Sequence, residues 1–252
     1  MIYIEKILPF GLVESYRKRQ ESCRKHSARK NFYQSFLSKG DLVFDIGANI
    51  GERVAAIIEV GCRVVAVEPQ EECCKRIQKI TAPSDRLTII PKGCGAKSGT
   101  AVLKRGSGTD VLATISDDYI KITTNSGRFQ GHQWQIKREV PICTAEELIQ
   151  QYGCPKLIKI DVEGSEVEVF QGLQTSPEIV SFEFTPEMTQ SMSECLGHCE
   201  RLGLKEFNIT WGESMRFSFD QWVAIDRMRD MVQILGGDSY LFGDILARRQ
   251  SE

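Results

Sequence analysis

An apolar segment that runs into a glycine-bracketed turn constrains this chain more than any other feature. Residues 42–46 are apolar except for Asp45 and predict a buried strand. Gly47 and Gly51 bracket the turn that follows, and residues 54–58 repeat apolar side chains at helical spacing. Glycine lets a ligand approach the backbone, and a helix start offers unpaired N–H groups. The segment therefore predicts a docking place for a nucleotide-like ligand, against the alternative of an ordinary strand–turn–helix without one.

An acidic residue ends the next predicted strand. Residues 63–67 form a mostly apolar run, and Glu68 follows, 21 residues after Gly47. An acid at this spacing accepts hydrogen bonds from both ribose hydroxyls of a bound nucleotide. A dinucleotide fingerprint would also need glycine at 49 and 52, where this chain has Asn49 and Glu52. The missing glycine disfavours an NAD-linked oxidoreductase, which stays open as an alternative class.

The charges around the turn favour a different ligand. Asp45 and Glu52 would repel a diphosphate, whereas a ligand with a ribose and a positively charged group suits them. S-adenosylmethionine has both of these parts. We predict that Asp45, the two glycines of the turn and Glu68 bind this cofactor.

Composition bounds the class of protein. The chain has 252 residues, 41% of them apolar and 26% charged, which is typical of a soluble globular protein with one large domain or a domain and an appendage. A net charge of −2 gives no overall field that favours nucleic acid or an anionic membrane, and no apolar run approaches the ~18 residues of a membrane span. Nine cysteines show neither a CxxC pair nor a zinc-ligand spacing. Together with the lack of a signal-peptide pattern, they predict reduced thiols and a cytoplasmic location.

Strands and helices alternate from residue 42 onward. The pattern predicts strands at 42–46, 63–67 and 87–91 and helices at 51–60 and 71–80. Such alternation implies an α/β fold with a doubly wound parallel sheet and helices on both faces. The turn at Lys92–Gly95 would lie near the adenine of a bound nucleotide, so Gly93 is a further candidate for cofactor binding.

The alternation fails in an insertion at about residues 99–142. Its two ends resemble the strands of a hairpin, and residues 105–136 between them are rich in glycine, serine and acids. We predict a mobile recognition loop there, with plain disorder as the alternative. Tyr119 and Trp134 would offer flat faces to a sugar ring, and His132 would reach its hydroxyls.

Residues 1–40 form a helical extension that precedes the main domain at 41–252. Residues 12–30 are strongly basic. They predict either a solvated helix that packs its end on the domain or a docking surface for an anionic substrate carrier.

Carboxylates cluster where the fourth predicted strand ends. Asp161, Glu163 and Glu166 follow that strand, and Glu183 lies near the end of the next one. The carboxyl ends of parallel strands face the ligand crevice, so we predict a catalytic role. Asp161 is the preferred general base, with Glu163, Glu183 and His132 as alternatives. A divalent cation held by Asp161, Glu163 and Glu183 stays open, because oxygen ligands suit magnesium, although the sequence spacing does not support it.

Three segments together resemble the FkbM-type methyltransferases. They are Phe44–Gly51 (FDIGANIG), Val67–Pro69 (VEP) and Ile158–Glu166 (IKIDVEGSE), and the match covers roughly residues 36–184. The resemblance implies S-adenosylmethionine enzymes that methylate hydroxyl groups on sugars, glycolipids or polyketides. It also implies the class I methyltransferase sheet, which has seven strands with the last one antiparallel. Carried over by position, it assigns cofactor binding to Asp45, Gly47, Asn49, Gly51 and Glu68, and it places Asp161, Glu163, Glu166 and Glu183 around the methyl-transfer site. Asp161 is also a candidate for contact with the cofactor.

These observations lead to one functional prediction and its rivals. We expect an O-methyltransferase that uses S-adenosylmethionine, releases S-adenosylhomocysteine and acts on a small-molecule hydroxyl acceptor such as a carbohydrate. We expect no nucleic acid partner. A non-catalytic protein that kept the cofactor fold is the other alternative, and the intact acids argue against it.

Overall fold

The computed structural model describes residues 10–81, 84–106, 112–129, 132–236 and 241–250. Its helices are α1 (Phe10–Gln34), α2 (Glu52–Val60), α3 (Glu71–Ile80), α4 (Asp117–Asn125), α5 (Ala145–Tyr152), α6 (Glu166–Gln171), α7 (Thr189–Arg201) and α8 (Ile225–Leu235). Its strands are β1 (Leu42–Ile46), β2 (Arg63–Val67), β3 (Leu87–Ile90), β4 (Gly93–Cys94), β5 (Gly99–Gly106), β6 (Ala113–Thr114), β7 (Trp134–Cys143), β8 (Leu157–Ile160), β9 (Ile179–Phe184), β10 (Glu206–Trp211), β11 (Val223–Ala224) and β12 (Gly243–Arg248).

The main sheet has the strand order β11–β10–β12–β9–β8–β1–β2–β3. From β3 to β9 in this order, neighbouring strands are parallel, whereas β12 is antiparallel to both of its neighbours. The predicted fold class, a doubly wound sheet that is mostly parallel with the last strand antiparallel, is confirmed. The two-residue strand β11 adds an eighth strand to the expected seven.

Apolar side chains cover both faces of the main sheet. One core packs Phe44 and Ile160 against α5, α6, α7 and α8, and the other packs Val43 against α1 and α2. Because both faces are covered, every residue of β1 and β8 is buried. Asp45 and Lys159 are charged members of these two strands, so they need partners inside the protein.

Among the described residues, the buried contacts of α1 with the domain lie in its last turns. Tyr33, in its last turn, and Leu37, which follows the helix, are 4% and 3% exposed and belong to the core that α2 covers. Farther toward the N-terminus, most described side chains of residues 14–25 are exposed. Among the residues placed in the structure, no helix is both long and apolar enough to cross a lipid bilayer.

The insertion forms a second sheet with the order β4–β7–β5–β6. The prediction of a loop over residues 105–136 is wrong for its described part, because residues 112–129 contain β6 and α4. The mobility of this segment stays a prediction. Residues 107–111 and 130–131 lie outside the described residues. The hydroxyl of Ser116 accepts the N–H of Tyr119 at 3.1 Å and so caps α4. The acids at 117 and 118 then occupy the first turn of α4, where their negative charge suits the positive end of the helix. This position gives both acids a structural role.

Candidate functional site

The turn after β1 and the turn after β8 touch each other at the carboxyl edge of the main sheet. Gly47 has a φ of 84°, a left-handed conformation that favours glycine. A Cβ atom on Gly47 would overlap the backbone carbonyl oxygen of Asp161, so the two turns can meet only if this residue is glycine. The N–H of Asp161 donates in turn to the carbonyl of Ile46 at 2.9 Å. The glycine turn and the first acid of the carboxylate motif therefore share one edge.

Glu68 stabilises the backbone of the first turn. Its carboxylate accepts the N–H of Asn49 at 2.9 Å and the N–H of Gln70 at 2.8 Å. Asn49 has a φ of 49°, a conformation that few residues other than glycine adopt. Burial raises the pKa of Glu68 to about 7, although the two N–H bonds act against this shift. A carboxylate has about four lone-pair directions, so Glu68 keeps acceptor capacity for a ligand.

Asp45 is a buried acid with incomplete hydrogen bonding. Its side chain is 1% exposed, and its Oδ2 atom has no hydrogen-bond partner in the part of the chain that the structure describes. Burial raises the pKa of Asp45 to about 6, while the charges of Lys159 and Arg53 act in the opposite direction. A buried acceptor is unfavourable unless something supplies a donor. Because Asp45 lines a cleft, a bound molecule could supply it.

This cleft contains the candidates for cofactor binding and for catalysis together. The candidates for cofactor binding that line the cleft are Asp45, Gly47, Asn49, Gly51, Glu68 and Gly93. The candidates for catalysis that line it are Asp161, Glu163 and Glu183. Gly93 reaches the cleft through β4, which pairs with β7 of the insertion. Apolar side chains of the insertion, including Leu103 and Ile115, line a further part of it. The cleft is thus built jointly by the main sheet and the insertion.

A buried lysine neutralises two carboxylates beside this cleft. Lys159 is 1% exposed, and its Nζ lies 3.0 Å from Asp161 Oδ2 and 3.0 Å from Asp244 Oδ1. Arg53 adds a second cation, 3.9 Å from Asp161 and 3.8 Å from Asp244. Burial acts to raise the pKa of Asp161, but the positive charges of Lys159 and Arg53 hold it below its usual value. Asp161 is therefore ionised at neutral pH.

Glu163 and Glu183 lie beside the ionised Asp161. Burial and the charge of Asp161 raise the pKa of Glu163 to about 8 and raise the pKa of Glu183 well above its usual value. At neutral pH Glu163 is therefore mainly protonated. Oxygen atoms of the three carboxylates all lie within 4.8 Å of one another, a spacing that would admit a cation. Lys159 already serves Asp161 as a counter-ion, so the charge of this group is partly balanced without one.

Two side chains of the insertion hold Glu163 in place. The hydroxyl of Tyr119 donates to Glu163 Oε2, and the hydroxyl of Thr114 donates to the backbone carbonyl of Glu163 at 2.6 Å. Glu163 has a φ of 55°, and a Cβ on the next residue, Gly164, would overlap the side chain of Tyr119. Tyr119 is 3% exposed. It is therefore a buried support of the carboxylate turn, and the expectation that its ring faces a sugar is wrong.

Two of the residues singled out from the sequence lie outside the cleft lining. Glu166 accepts N–H bonds from Val162 at 3.1 Å and from Gly164 at 3.1 Å, so it braces the carboxylate turn from behind. His132 packs edge-on against Trp134, with 4.9 Å between the ring centroids. The structure thus places His132 in an aromatic cluster of the insertion, apart from the residues that line the cleft.

Three cations of the site were not predicted from the sequence. Arg29, on α1, is 6% exposed and contacts Glu52 at 2.6 Å and Glu213 at 3.1 Å. Arg53 contacts Glu213 at 3.1 Å as well. Lys159 did carry a signal, since a charged residue in the middle of an apolar strand needs a buried partner. The two arginines carried none, because a basic residue on a helix is ordinarily solvated.

The region that forms the cleft is similar to known proteins. The model of the methyltransferase FkbM domain matches residues 45–236. The hexuronic acid methyltransferase AglP of Haloferax volcanii is 29% identical over 152 residues, which cover 56% of this chain and 54% of that protein. The chain therefore spans about half the length of this curated relative.

Solved structures of methyltransferases give weaker likenesses. Magnesium protoporphyrin IX methyltransferase of Synechocystis PCC 6803, with bound S-adenosylmethionine, has a TM-score of 0.47 and 9% identity, covering 91% of this chain and 80% of its own. Precorrin-6y C5,15-methyltransferase of Geobacter metallireducens has a TM-score of 0.45 and 10% identity, covering 89% and 87%. The domain model, by contrast, spans most of the chain and includes both turns of the cleft. The chain belongs to the FkbM methyltransferase family.

Proposed function

We propose that this chain transfers the methyl group of S-adenosylmethionine to a hydroxyl oxygen of a carbohydrate or a similar small molecule. The observation that carries the proposal is the ionised carboxylate of Asp161, which lines the same cleft as the Gly47 turn and Glu68. A hydroxyl acceptor needs a group that takes its proton, and Asp161 is ionised, so it has a free place for that proton. The family match supports methyl transfer as the reaction.

The chemistry of the cleft fits a cationic cofactor. S-adenosylmethionine supplies a methyl group that is activated by a positively charged sulfonium. Acidic side chains line the cleft on several sides, among them Asp45, Glu68 and Glu213. The Oδ2 atom of Asp45 offers an acceptor to an ammonium or N–H group, and the absence of a Cβ at Gly47 lets the backbone come close. These features support S-adenosylmethionine over NAD, whose diphosphate the carboxylates would repel.

Each residue of the cleft has a separate task in the proposed reaction. Glu68 accepts hydrogen bonds from the ribose hydroxyls, as acids at this position do in related folds. Asp161 takes the proton of the acceptor hydroxyl. The oxygen of that hydroxyl forms a bond to the methyl carbon while the bond between this carbon and the sulfur of the cofactor breaks. Lys159 positions Asp161 and keeps it ionised. Glu163, which is mainly protonated at neutral pH, is suited to donate a hydrogen bond to an acceptor oxygen, and the raised pKa of Glu183 favours the same role.

A carbohydrate is the acceptor class that the comparisons favour. The curated relative is named for a hexuronic acid, a sugar that offers both hydroxyl and carboxylate oxygens as nucleophiles. The hydroxyl is the better choice here, because the ionised Asp161 would repel an acceptor carboxylate.

Incubation with S-adenosylmethionine and simple glycosides of glucose and glucuronic acid tests this function. We expect at least one glycoside to gain one methyl group by mass spectrometry, and we expect the product to survive mild base, as a methyl ether does. A base-labile product would be a methyl ester and would contradict the choice of the hydroxyl. Failure to methylate any member of a broad panel of glycosides would contradict the carbohydrate assignment.

Replacement of Glu68 by alanine is expected to weaken the binding of S-adenosylhomocysteine by about 1–3 kcal/mol, the usual loss for a charged hydrogen-bond partner. Calorimetry measures this change. Glu72→Ala removes an exposed carboxylate nearby on α3 and should bind like the wild type. Because Glu68 also accepts the N–H groups of Asn49 and Gln70, thermal unfolding with and without ligand separates a lost contact from a lost fold. Undiminished affinity in the Glu68→Ala protein would remove Glu68 from the cofactor site.

A further inference from the structure

Positive charge is concentrated on one helix of an otherwise acidic chain. The helix α1 contains seven lysine and arginine residues against two glutamates, a formal charge of +5. The whole chain has a net charge of −2, so the remainder carries −7. The small net charge of the whole chain therefore conceals a strong separation of charge between α1 and the rest of the protein.

Five of the seven basic residues of α1 have exposed side chains. The exposed members are Arg17, Lys18, Arg19, Arg24 and Lys25. Close packing begins near Arg29, which is 6% exposed and lines the cleft. At a rise of ~1.5 Å per residue, Arg17 lies roughly 18 Å along the helix axis from Arg29. The exposed half of α1 is thus a positively charged arm that starts at the edge of the cleft.

Apolar residues precede this arm in the sequence, and apolar residues line a groove beside it in the structure. In the sequence, nine of the first thirteen residues are apolar, and they lead directly into the basic segment. In the structure, a groove between α1 and residues 214–217 is lined by Arg24 and Arg216 together with Phe32 and Phe217. Apolar contact and polybasic attraction each give weak attachment to a lipid surface, and stable attachment combines them.

We propose that α1 docks the protein on a bilayer surface that contains anionic phospholipids. The arm and such a surface have complementary charge, and each lysine or arginine near the surface strengthens binding about fivefold. Nucleic acid would attract the same charge, but the apolar rings of Phe32 and Phe217 in the adjoining groove favour a bilayer, whose interface accepts such side chains. The docking does not depend on methyl transfer. Its consequence, that the cleft would meet an acceptor carried on a lipid, rests on the proposed function.

Flotation with lipid vesicles tests the docking. We expect the full chain to float with vesicles of mixed phosphatidylcholine and phosphatidylglycerol, to stay behind with phosphatidylcholine alone, and to lose binding as salt is raised. The triple variant Lys18→Glu, Arg19→Glu, Arg24→Glu is expected to bind the anionic vesicles ~100-fold less tightly or worse. The matched control is Lys75→Glu, Arg76→Glu, Lys79→Glu, which makes the same charge change on exposed positions of α3 and should bind like the wild type.

Three results would overturn the docking. They are the absence of wild-type binding to the anionic vesicles, equal weakening in both triple variants, and tighter binding to single-stranded RNA than to the vesicles at the same salt. Unchanged affinity for S-adenosylhomocysteine shows that each variant keeps its fold. A protein that binds the vesicles but methylates no glycoside would leave the docking intact and contradict only the proposed acceptor.

Discussion

Replacement of Lys159 by methionine is expected to lower the free energy of unfolding by about 3–5 kcal/mol, the usual cost when a buried charge loses its partner. Lys159 is 1% exposed, and Asp161 and Asp244 each lie 3.0 Å from its Nζ. Methionine is flexible and of similar length, so the change removes the charge and little volume. Urea denaturation of the variant and the wild type measures the difference.

The matched control uses a lysine just before the same strand. Lys156 is 27% exposed and lies 3.5 Å from Asp41, so Lys156→Met should change stability by less than ~1 kcal/mol. Equal losses in the two variants would contradict the importance of burial.

The stability defect of Lys159→Met is also expected to shrink in acid. Without the ammonium group, only Arg53, at 3.9 Å, opposes the effect of burial, so the pKa of Asp161 in the folded variant lies above its value in the folded wild type. The defect is then fully present above the folded pKa and disappears as the carboxyl group is protonated. Denaturation curves at neutral and acidic pH, compared with the wild type at each pH, measure this. A stability defect of the same size at neutral and at acidic pH would show that lost packing, rather than lost charge, is responsible.

Replacement of Asp161 by asparagine is expected to lower turnover ~100-fold or more, the scale of a lost general base, and to leave S-adenosylhomocysteine binding nearly unchanged. Asparagine keeps the shape of the side chain but does not take the proton of the acceptor. Lys159 retains Asp244 as a counter-ion, so the variant should fold. Initial rates with the glycoside that the methylation assay identifies measure the loss, and Glu168→Gln, an exposed change on α6, is the control.

The pH dependence of the wild-type rate distinguishes Asp161 from Glu163. The pKa of Asp161 lies below its usual value, so a turnover that depends on its ionised form, measured at saturating S-adenosylmethionine, stays constant as the pH falls through neutrality. Glu163 has a pKa raised to about 8 and would act as a base only above that pH. A rate that climbs through pH 8, together with an active Asp161→Asn variant, would assign the proton transfer to Glu163.

Features with local causes were predictable from the sequence. The strand at 63–67 and the helix at 71–80 have the predicted bounds, because apolar periodicity and flanking residues determine them over short distances. The turn with Gly47 and the acids after β8 were found for the same reason. Their meeting at one edge also followed from the parallel sheet, whose strand ends lie together.

Features with distant causes were not predictable in this way. The helix α4 has only nine residues, and its Tyr119 is held by a carboxylate 44 positions away. Arg29 bonds a glutamate 184 positions away. Neither contact leaves a trace in local periodicity, so α4 was taken for a loop and Arg29 for a solvated residue. The acids of the site were therefore visible in the sequence, whereas its cations were largely hidden.

The position of β12 has a consequence for the order in which the protein assembles. This strand follows β9 and β10 in the chain but lies between them in the sheet. It carries Asp244, which pairs in register with Glu183 and supplies the second counter-ion of Lys159. Until β12 inserts, β9 and β10 are open edges and the buried ammonium group has lost one of its two anions. Insertion of β12 therefore closes the sheet and completes the charge balance of the cleft in the same step. We expect a partly folded chain that lacks this strand to lack a complete site.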